Sequence, residues 1–345
     1  MKNNSIELHA FDGLVLLGGG RLLRKLAVWG VKEGFSVKVI TAPRHAVEIV
    51  DGYSLKESLD LSDIETLVTE KIDTDEVQNF LEGADSFLSL SLGAAWIFTP
   101  QVIENNFRNT LLNLHGTRLP QDRGGGGPSW RILMGNRFGA CLLHRIDGGI
   151  DTGEVVAFEE FIYSSSARKP IDYENEQIDR NFVFVTKFIS TLRWGSSQLE
   201  LFGQPEYLSS YWPRLNTDIN GWVNWSWSGH DIERFVCAFD DPYPGAQSYI
   251  KNDRVRLKSA ILSGPECNFH PFQSGLIYRI NEKWCCVAVN GGTLVLEQIL
   301  DDQGNNLLPS LKTGDRLRTP PEYLEQALSR PIYTPSGLKS KIGNA

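Results

Sequence analysis

The run Leu14-Val15-Leu16-Leu17-Gly18-Gly19-Gly20 decides the fold. Four consecutive apolar residues fit a strand buried on both faces, and three glycines stop it. Leu22, Leu23, Leu26, Ala27 and Val31 then recur near helical spacing, and Gly34 ends that helix. Ser36-Val37-Lys38-Val39-Ile40 reads as the next strand. Strand patterns return at 86–90, 110–114, 140–146 and 155–161, with helices over 102–106 and 173–192. Strands alternating with helices imply an α/β fold: a doubly wound, mostly parallel, Rossmann-like sheet.

After residue 200 the composition changes. Residues 201–220 contain Gly203, Pro205 and Pro213 and read as a linker. A short helix at 231–239 precedes strand patterns at 246–250, 254–262, 274–280, 285–289 and 294–299. This is the signature of a smaller, mainly-β, barrel-like domain over 221–330. The segment 331–345 reads as a loose tail.

The composition excludes several classes. No apolar run can span a bilayer, and Met1-Lys2-Asn3-Asn4-Ser5 lacks a signal core, so the expected location is the cytoplasm. The net charge of −8 argues against a nucleic-acid partner. Cys141, Cys237, Cys267, Cys285 and Cys286 form no CxxC pair and read as buried small hydrophobes, so no metal is expected. Gly18-Gly19-Gly20 could cradle a phosphate at a helix start. The dinucleotide fingerprint fails, however, because Leu23 stands where its third glycine belongs. A tight turn under the sheet is the simpler reading.

Polar residues concentrate between 111 and 156. In Leu111-Leu112-Asn113-Leu114-His115-Gly116 the strand period puts Asn113 and His115 on one face, at the carboxyl end of the strand. Arg123-Gly124-Gly125-Gly126-Gly127-Pro128 follows. Its glycines fit either close approach to a ligand or simple flexibility. Asp147-Gly148-Gly149-Ile150-Asp151-Thr152-Gly153 forms a tight loop that brings Asp151 to the same edge. Asn, His and Asp suit acyl transfer to an amine. Asn and His can donate to an oxyanion, and a carboxylate can orient the imidazole or accept a proton.

Asn113-Leu114-His115, Leu119-Pro120, Arg123-Gly124 and the 147–153 loop resemble the formyltransferases that use N10-formyltetrahydrofolate. The spacing of 36 positions between His115 and Asp151 suits that family. The resemblance implies Asn113, His115 and Asp151 as catalytic residues. It implies that Trp96, Ile97, Asp147, Gly148, Gly149 and Ile150 hold the formylfolate, and that Arg118, Arg123, Gly124 and Gly125 line the acceptor site. Tyr211-Trp212-Pro213-Arg214 and Pro242-Tyr243-Pro244-Gly245 resemble the branch acting on nucleotide-linked (dTDP-, GDP- or UDP-) amino sugars, which serves O-antigen and lipopolysaccharide assembly. A homodimer through the β domain is compatible with this reading. Methionyl-tRNA formyl transfer is the alternative, and a non-catalytic nucleotide-binding module is the alternative from another class. A tRNA enzyme needs a basic surface. Arg254, Arg256 and Lys258 alternate on one strand as the local basic stripe, which a solvated strand face explains equally well.

Overall fold

Continuous apolar runs belong inside a sheet, and the first of them lies there. The computed structural model describes residues 5–84, 86–108, 110–125, 127–264 and 268–339. β1 (Gly13–Gly18) is buried along its whole length. α1 (Gly20–Lys32) buries Leu23, Leu26, Ala27 and Gly30, whereas Leu22 is half-buried and Val31, expected on the same stripe, is exposed at its end. The domain continues through β2 (Ser36–Thr41), β3 (Glu65–Val68), β4 (Phe87–Leu92), α2 (Pro100–Phe107), β5 (Leu112–His115), α3 (Gly127–Met134), β6 (Phe138–Arg145), β7 (Val155–Ile162) and α4 (Pro170–Leu192).

The seven strands lie in the order β7-β6-β5-β4-β1-β2-β3. β3, β2, β1, β4 and β5 run parallel, and β6 is antiparallel to both its neighbours. The sheet is therefore mostly parallel, as the sequence implies. The strand order reverses between β1 and β4. Their carboxyl ends sit side by side there, in the position where open α/β sheets bind ligands. Gly18 has φ +132°, and a Cβ on it would lie 2.1 Å from the Leu92 carbonyl oxygen. Close passage of two strand ends thus requires the first glycine of the turn, in line with the tight-turn reading.

The second half consists of α5 (Gly229–Ala238), β8 (Ala246–Ile250), β9 (Asp253–Ser263), β10 (Ile277–Ile280), β11 (Cys285–Val289), β12 (Gly292–Leu300) and β13 (Leu317–Arg318). These strands form one antiparallel sheet, ordered β10-β11-β12-β9-β8-β13 and curled into a half-barrel. Ile232 and Val236 of α5 pack with Val255, Leu257, Val287 and Leu296. Ile132 of α3, Tyr163 and Tyr173 join the same core, so apolar packing runs across from the first half.

The linker and the described part of the segment expected to be loose are both held by distant partners. Tyr211–Trp212 of the linker pairs in parallel with Arg123–Gly124, and Trp212 packs against Trp130 at 5.2 Å. In the tail, Tyr333–Thr334 pairs with Gly337–Leu338. The Arg44 N–H donates to the Pro335 carbonyl at 3.2 Å, and its guanidinium donates to the Thr334 carbonyl at 2.9 Å. Pro and Gly rule out regular local structure, but they do not stop backbone groups from finding distant partners. The tail beyond residue 339, Gly126 and Cys267 lie outside the described residues. No described helix is long and apolar enough to cross a membrane.

The four described cysteines are buried and free. Burial pushes the thiols of Cys141 and Cys285 up to about 12 and that of Cys237 to about 11, from an ordinary 9.0. At pH 8 such groups hold roughly one thiolate per thousand or fewer. A Cys267→Ser variant should therefore show almost no reaction with a disulfide reagent when native, and four reactive thiols in denaturant. These folded values lie above the unfolded ones. The stability they contribute is complete below pH 9 and is lost as pH rises toward 11 and 12, so melting temperature should fall over that window.

Candidate active site

β5 buries Leu112 and Leu114 and turns Asn113 and His115 to its other face. β6 runs antiparallel beside it, with His144 directly opposite Asn113. The 147–153 loop then returns Asp151 to the same place. Asp151 has φ +53°, a left-handed conformation that Asp tolerates better than most residues. The loop is tight: a Cβ on Gly153 would lie 1.9 Å from the Arg145 carbonyl oxygen.

Four side chains converge. The Asn113 amide donates to His144 Nε2 at 3.0 Å, and His144 Nδ1–H donates to the Arg145 carbonyl at 2.8 Å. His115 Nε2–H donates to the Asp122 carbonyl at 2.9 Å. That bond, rather than Asp151, sets the plane of the His115 ring. Asp151 Oδ2 accepts from the Gly124 N–H at 2.8 Å. Its Oδ1 lies 3.7 Å from His115 Nδ1 and 3.6 Å from His144 Nε2. Burial pulls the His115 imidazole below its ordinary value, against the raising effect of the Asp151 carboxylate. Burial would raise Asp151, but the His144 and His115 imidazoles and the Gly124 N–H outweigh it and hold the carboxyl at about 2. The corner therefore carries a carboxylate and the His115 imidazole held toward its neutral form, and His144 Nε2 accepts from Asn113; such a set can accept a proton.

The other expected site residues divide. Trp96 is buried, and its Nε1–H donates to the Glu70 carbonyl at 3.1 Å. It packs in the core with Phe98 and Val102, so its ring is not free for a ligand. Ile97 and Ile150 are exposed, at 76% and 45%. Asp147 Oδ1 accepts from the Gly149 N–H at 2.9 Å and the Thr152 hydroxyl at 2.6 Å, so it closes its own turn. Gly148 lies beside Pro100, where an added Cβ would be 3.4 Å from the ring.

Arg123 corrects the reading of the glycine segment. It is buried, with Nε and Nη2 donating to Gln204 Oε1 at 3.2 and 3.1 Å and Nη1 donating to Glu206 at 2.8 Å. It braces the linker and is not open to an acceptor. A Cβ on Gly124 would lie 2.6 Å from the Trp212 carbonyl oxygen, and one on Gly125 would lie 3.1 Å from Arg214. The close neighbour of both glycines is the linker, and Gly127 already belongs to α3. Arg118 stacks over Phe138 at 4.9 Å. Its Nε is buried without a hydrogen-bond partner.

His144 and Gln204 were not singled out from the sequence. The signal for His144 was pairing parity: a residue of an adjacent antiparallel strand opposite Asn113 must share its face. Gln204 sits among linker residues and gave no local signal.

Known proteins bear on this arrangement. A model of the formyl transferase C-terminal domain matches residues 217–310. Methionyl-tRNA formyltransferase of Acetivibrio thermocellus is 25% identical over 256 residues, covering 73% of this chain and 79% of that protein. The Clostridium tetani enzyme of the same name is 26% identical over 188 residues, covering 54% of this chain and 58% of that one. Among solved structures, a sugar 3-N-formyltransferase crystallised with dTDP and 5-N-formyltetrahydrofolate superposes with TM-score 0.62 at 18% identity. It covers 85% of this chain and 99% of its own. An N-formyltransferase from Helicobacter canadensis, with folinic acid and dTDP-3-aminofucose, gives 0.63 at 18%, covering 84% and 99%. The mostly parallel sheet, the half-barrel and these likenesses mark a formyl-transferring enzyme. Residues 217–310 match the formyl transferase C-terminal domain, and the chain is similar to formyltransferases along most of its length.

Proposed function

We propose that the chain transfers a formyl group from N10-formyltetrahydrofolate to the amino group of a nucleotide-linked amino sugar. The amine attacks the formyl carbon, which places negative charge on the formyl oxygen. An amide nitrogen has two N–H donors. Asn113 gives one to His144, and the other serves the oxyanion. His115 adds a second donor once protonated. The ammonium formed in the attack passes its proton to the corner of Asp151, His115 and His144. The carbon–N10 bond then breaks as the corner returns that proton to N10, which releases tetrahydrofolate and the N-formyl product. No side-chain nucleophile takes part. Exposed Ile97 and Ile150 supply an apolar wall for the folate ring, where the 147–150 loop meets Pro100 at the start of α2.

One observation carries the choice of acceptor. The basic stripe expected on β9 is neither solvated nor free. Arg256 and Lys258 are buried. Arg256 contacts Asp218 at 2.6 Å, Arg254 contacts Asp302 at 2.8 Å, and Lys258 lies within 4 Å of Asp240 and Asp241. Cations committed to carboxylates release few counterions from a polyanion, which supports a small acceptor over tRNA. The sugar enzymes with a similar fold were crystallised with dTDP or a dTDP-amino sugar. Methionyl-tRNA stays the second reading because the sequence relatives carry that name. The wider proposal includes surface-polysaccharide assembly and a homodimer, and light scattering decides the latter.

The test incubates the purified chain and N10-formyltetrahydrofolate with dTDP-, GDP- and UDP-linked amino sugars, and separately with methionyl-tRNA. Mass spectrometry reads the formylated product. Formylation of at least one nucleotide sugar, with methionyl-tRNA at least 100-fold slower in kcat/KM, is expected. The reverse ratio overturns the acceptor, and no turnover with any amine overturns the enzyme reading.

A further inference from the structure

The active-site corner has an excess of acceptors. His115 uses Nε2–H on the Asp122 carbonyl, and His144 uses Nδ1–H on the Arg145 carbonyl. Each ring thus turns its unprotonated nitrogen inward. His115 Nδ1 and His144 Nε2 lie 3.7 and 3.6 Å from Asp151 Oδ1, and one ligand atom from each of the three residues falls within 4.8 Å of the others. The Asn113 amide donates to His144 Nε2 at 3.0 Å, while Asp151 Oδ1 lies beyond ordinary hydrogen-bond length from either ring nitrogen. Three lone pairs facing one point repel unless a cation sits between them. During transfer that cation is a proton.

The same corner has the features of a metal site. Ligating histidines characteristically donate their second N–H to a carbonyl or carboxylate, which fixes the tautomer and aims the ring. Both histidines here do so through backbone carbonyls. The remaining Asp151 oxygen is held by the Gly124 N–H at 2.8 Å. Two histidines and one carboxylate are a known three-ligand set for zinc, with bond lengths of about 2.0–2.2 Å and an open fourth position. Inward movement of each ligand by about an ångström would reach that geometry. Asn113 must release His144 for this to happen.

We propose that His115, His144 and Asp151 form a three-ligand site for a divalent cation of the zinc class, which inhibits the enzyme by displacing the proton the corner must accept. The cation is an inhibitor and not a cofactor. Asp151 is the one ligand of the three that is not buried, so the fourth ligand position lies on its side, at the carboxyl end of β5 where the amine is proposed to react. Cation and amine therefore compete.

Binding is tested apart from turnover. Untagged full-length protein is titrated with Co2+, and the visible d–d bands of a four- or five-coordinate site are followed, with Zn2+ displacing the cobalt. One equivalent, lost in His144→Ala and in Asp151→Ala, is the expected result. Asn113→Ala should bind at least as tightly as wild type, because it removes the competing donor, although it disables transfer. Circular dichroism confirms that each variant is folded. Where formyl transfer is measurable, Zn2+ should reduce it at least tenfold, with recovery on adding EDTA. Absence of a visible band at ten equivalents overturns the proposal. So does a band that survives both His144→Ala and Asp151→Ala, or a cobalt–thiolate band in the near ultraviolet. Since the cobalt signal needs no substrate, failure here leaves the formyl-transfer reading standing, and failure of turnover leaves this one standing.

Discussion

Asn113→Ala should lower kcat for formyl transfer by 100-fold to 1,000-fold while leaving KM for both substrates within about threefold of wild type. The asymmetry follows from when the interaction forms. The free N–H of the Asn113 amide meets a weakly polar carbonyl in the ground state and an oxyanion in the transition state, so its removal affects the barrier far more than binding. Loss of one such donor costs about 3–4 kcal/mol in enzymes where it has been isolated. His115→Ala should cost at least as much, since it removes a donor and part of the proton-accepting corner together. Asp151→Asn keeps an acceptor for the Gly124 N–H and removes only the charge. It should therefore fold normally and still lose at least 100-fold. The three losses will not add, because the residues act as one unit. Asn113→Ala should also lose about 1–3 kcal/mol of stability, because it leaves the buried His144 Nε2 without its donor. Single-turnover rates alongside melting curves separate the two effects. A well-folded Asn113→Ala or Asp151→Asn variant within tenfold of wild-type kcat would sink the mechanism.

Local patterns made much of this legible beforehand. The β1 run, the α1 stripe and the alternation of strands and helices are short-range signals, and the structure follows them closely. Strand period alone put Asn113 and His115 on one face, and a glycine-dense loop marked the return of Asp151. What stayed hidden depends on pairing between distant segments. His144 looked like one polar residue in the apolar run 140–146. Its role appears only when β6 pairs antiparallel with β5 and the register sets it opposite Asn113. The glycines at 124 and 125 were legible as a constraint, but their cause was not. Composition cannot distinguish a ligand from a linker passing within 3 Å. Arg123 and the β9 stripe show the same limit. A guanidinium reads the same in sequence whether it awaits a phosphate or is already held by Gln204 or Asp218.

Gln204→Leu should lower the melting temperature by roughly 5–10 °C and kcat by about 100-fold, although Gln204 touches none of the proposed reacting atoms. One side-chain amide makes four hydrogen bonds. Its oxygen accepts from Arg123 Nε and Nη2 at 3.2 and 3.1 Å, and its nitrogen donates to the carbonyls of Asp151 and Gly153 at 2.9 and 2.6 Å. It ties the buried guanidinium to the loop that holds Asp151 in its left-handed conformation. Leucine is similar in size and satisfies none of these groups. A polar group left unpaired in a buried place costs about 1–3 kcal/mol. With part of the site reached by water, about 2–4 kcal/mol for the whole change follows from that range. In a domain of this size each kcal/mol moves the midpoint by about 2–4 °C. The activity loss has a separate origin. Without the Asp151 carbonyl tether the loop can relax, and misplacement by about 1 Å can cost 100-fold in rate. Gln204→Glu distinguishes the two contributions. It keeps acceptors for Arg123 but turns an oxygen toward two carbonyl oxygens, so it should recover part of the stability and little of the rate. Glu206→Ala is the control. Its carboxylate is 77% exposed although its partner Arg123 is buried, so water can take its place at Nη1, and this variant should lose far less stability than Gln204→Leu and turn over close to wild type. If Gln204→Leu melts within 1 °C of wild type with kcat within threefold, the linker does not hold the catalytic loop, and Asp151 must owe its position to the Gly124 N–H and the 147–153 turn alone.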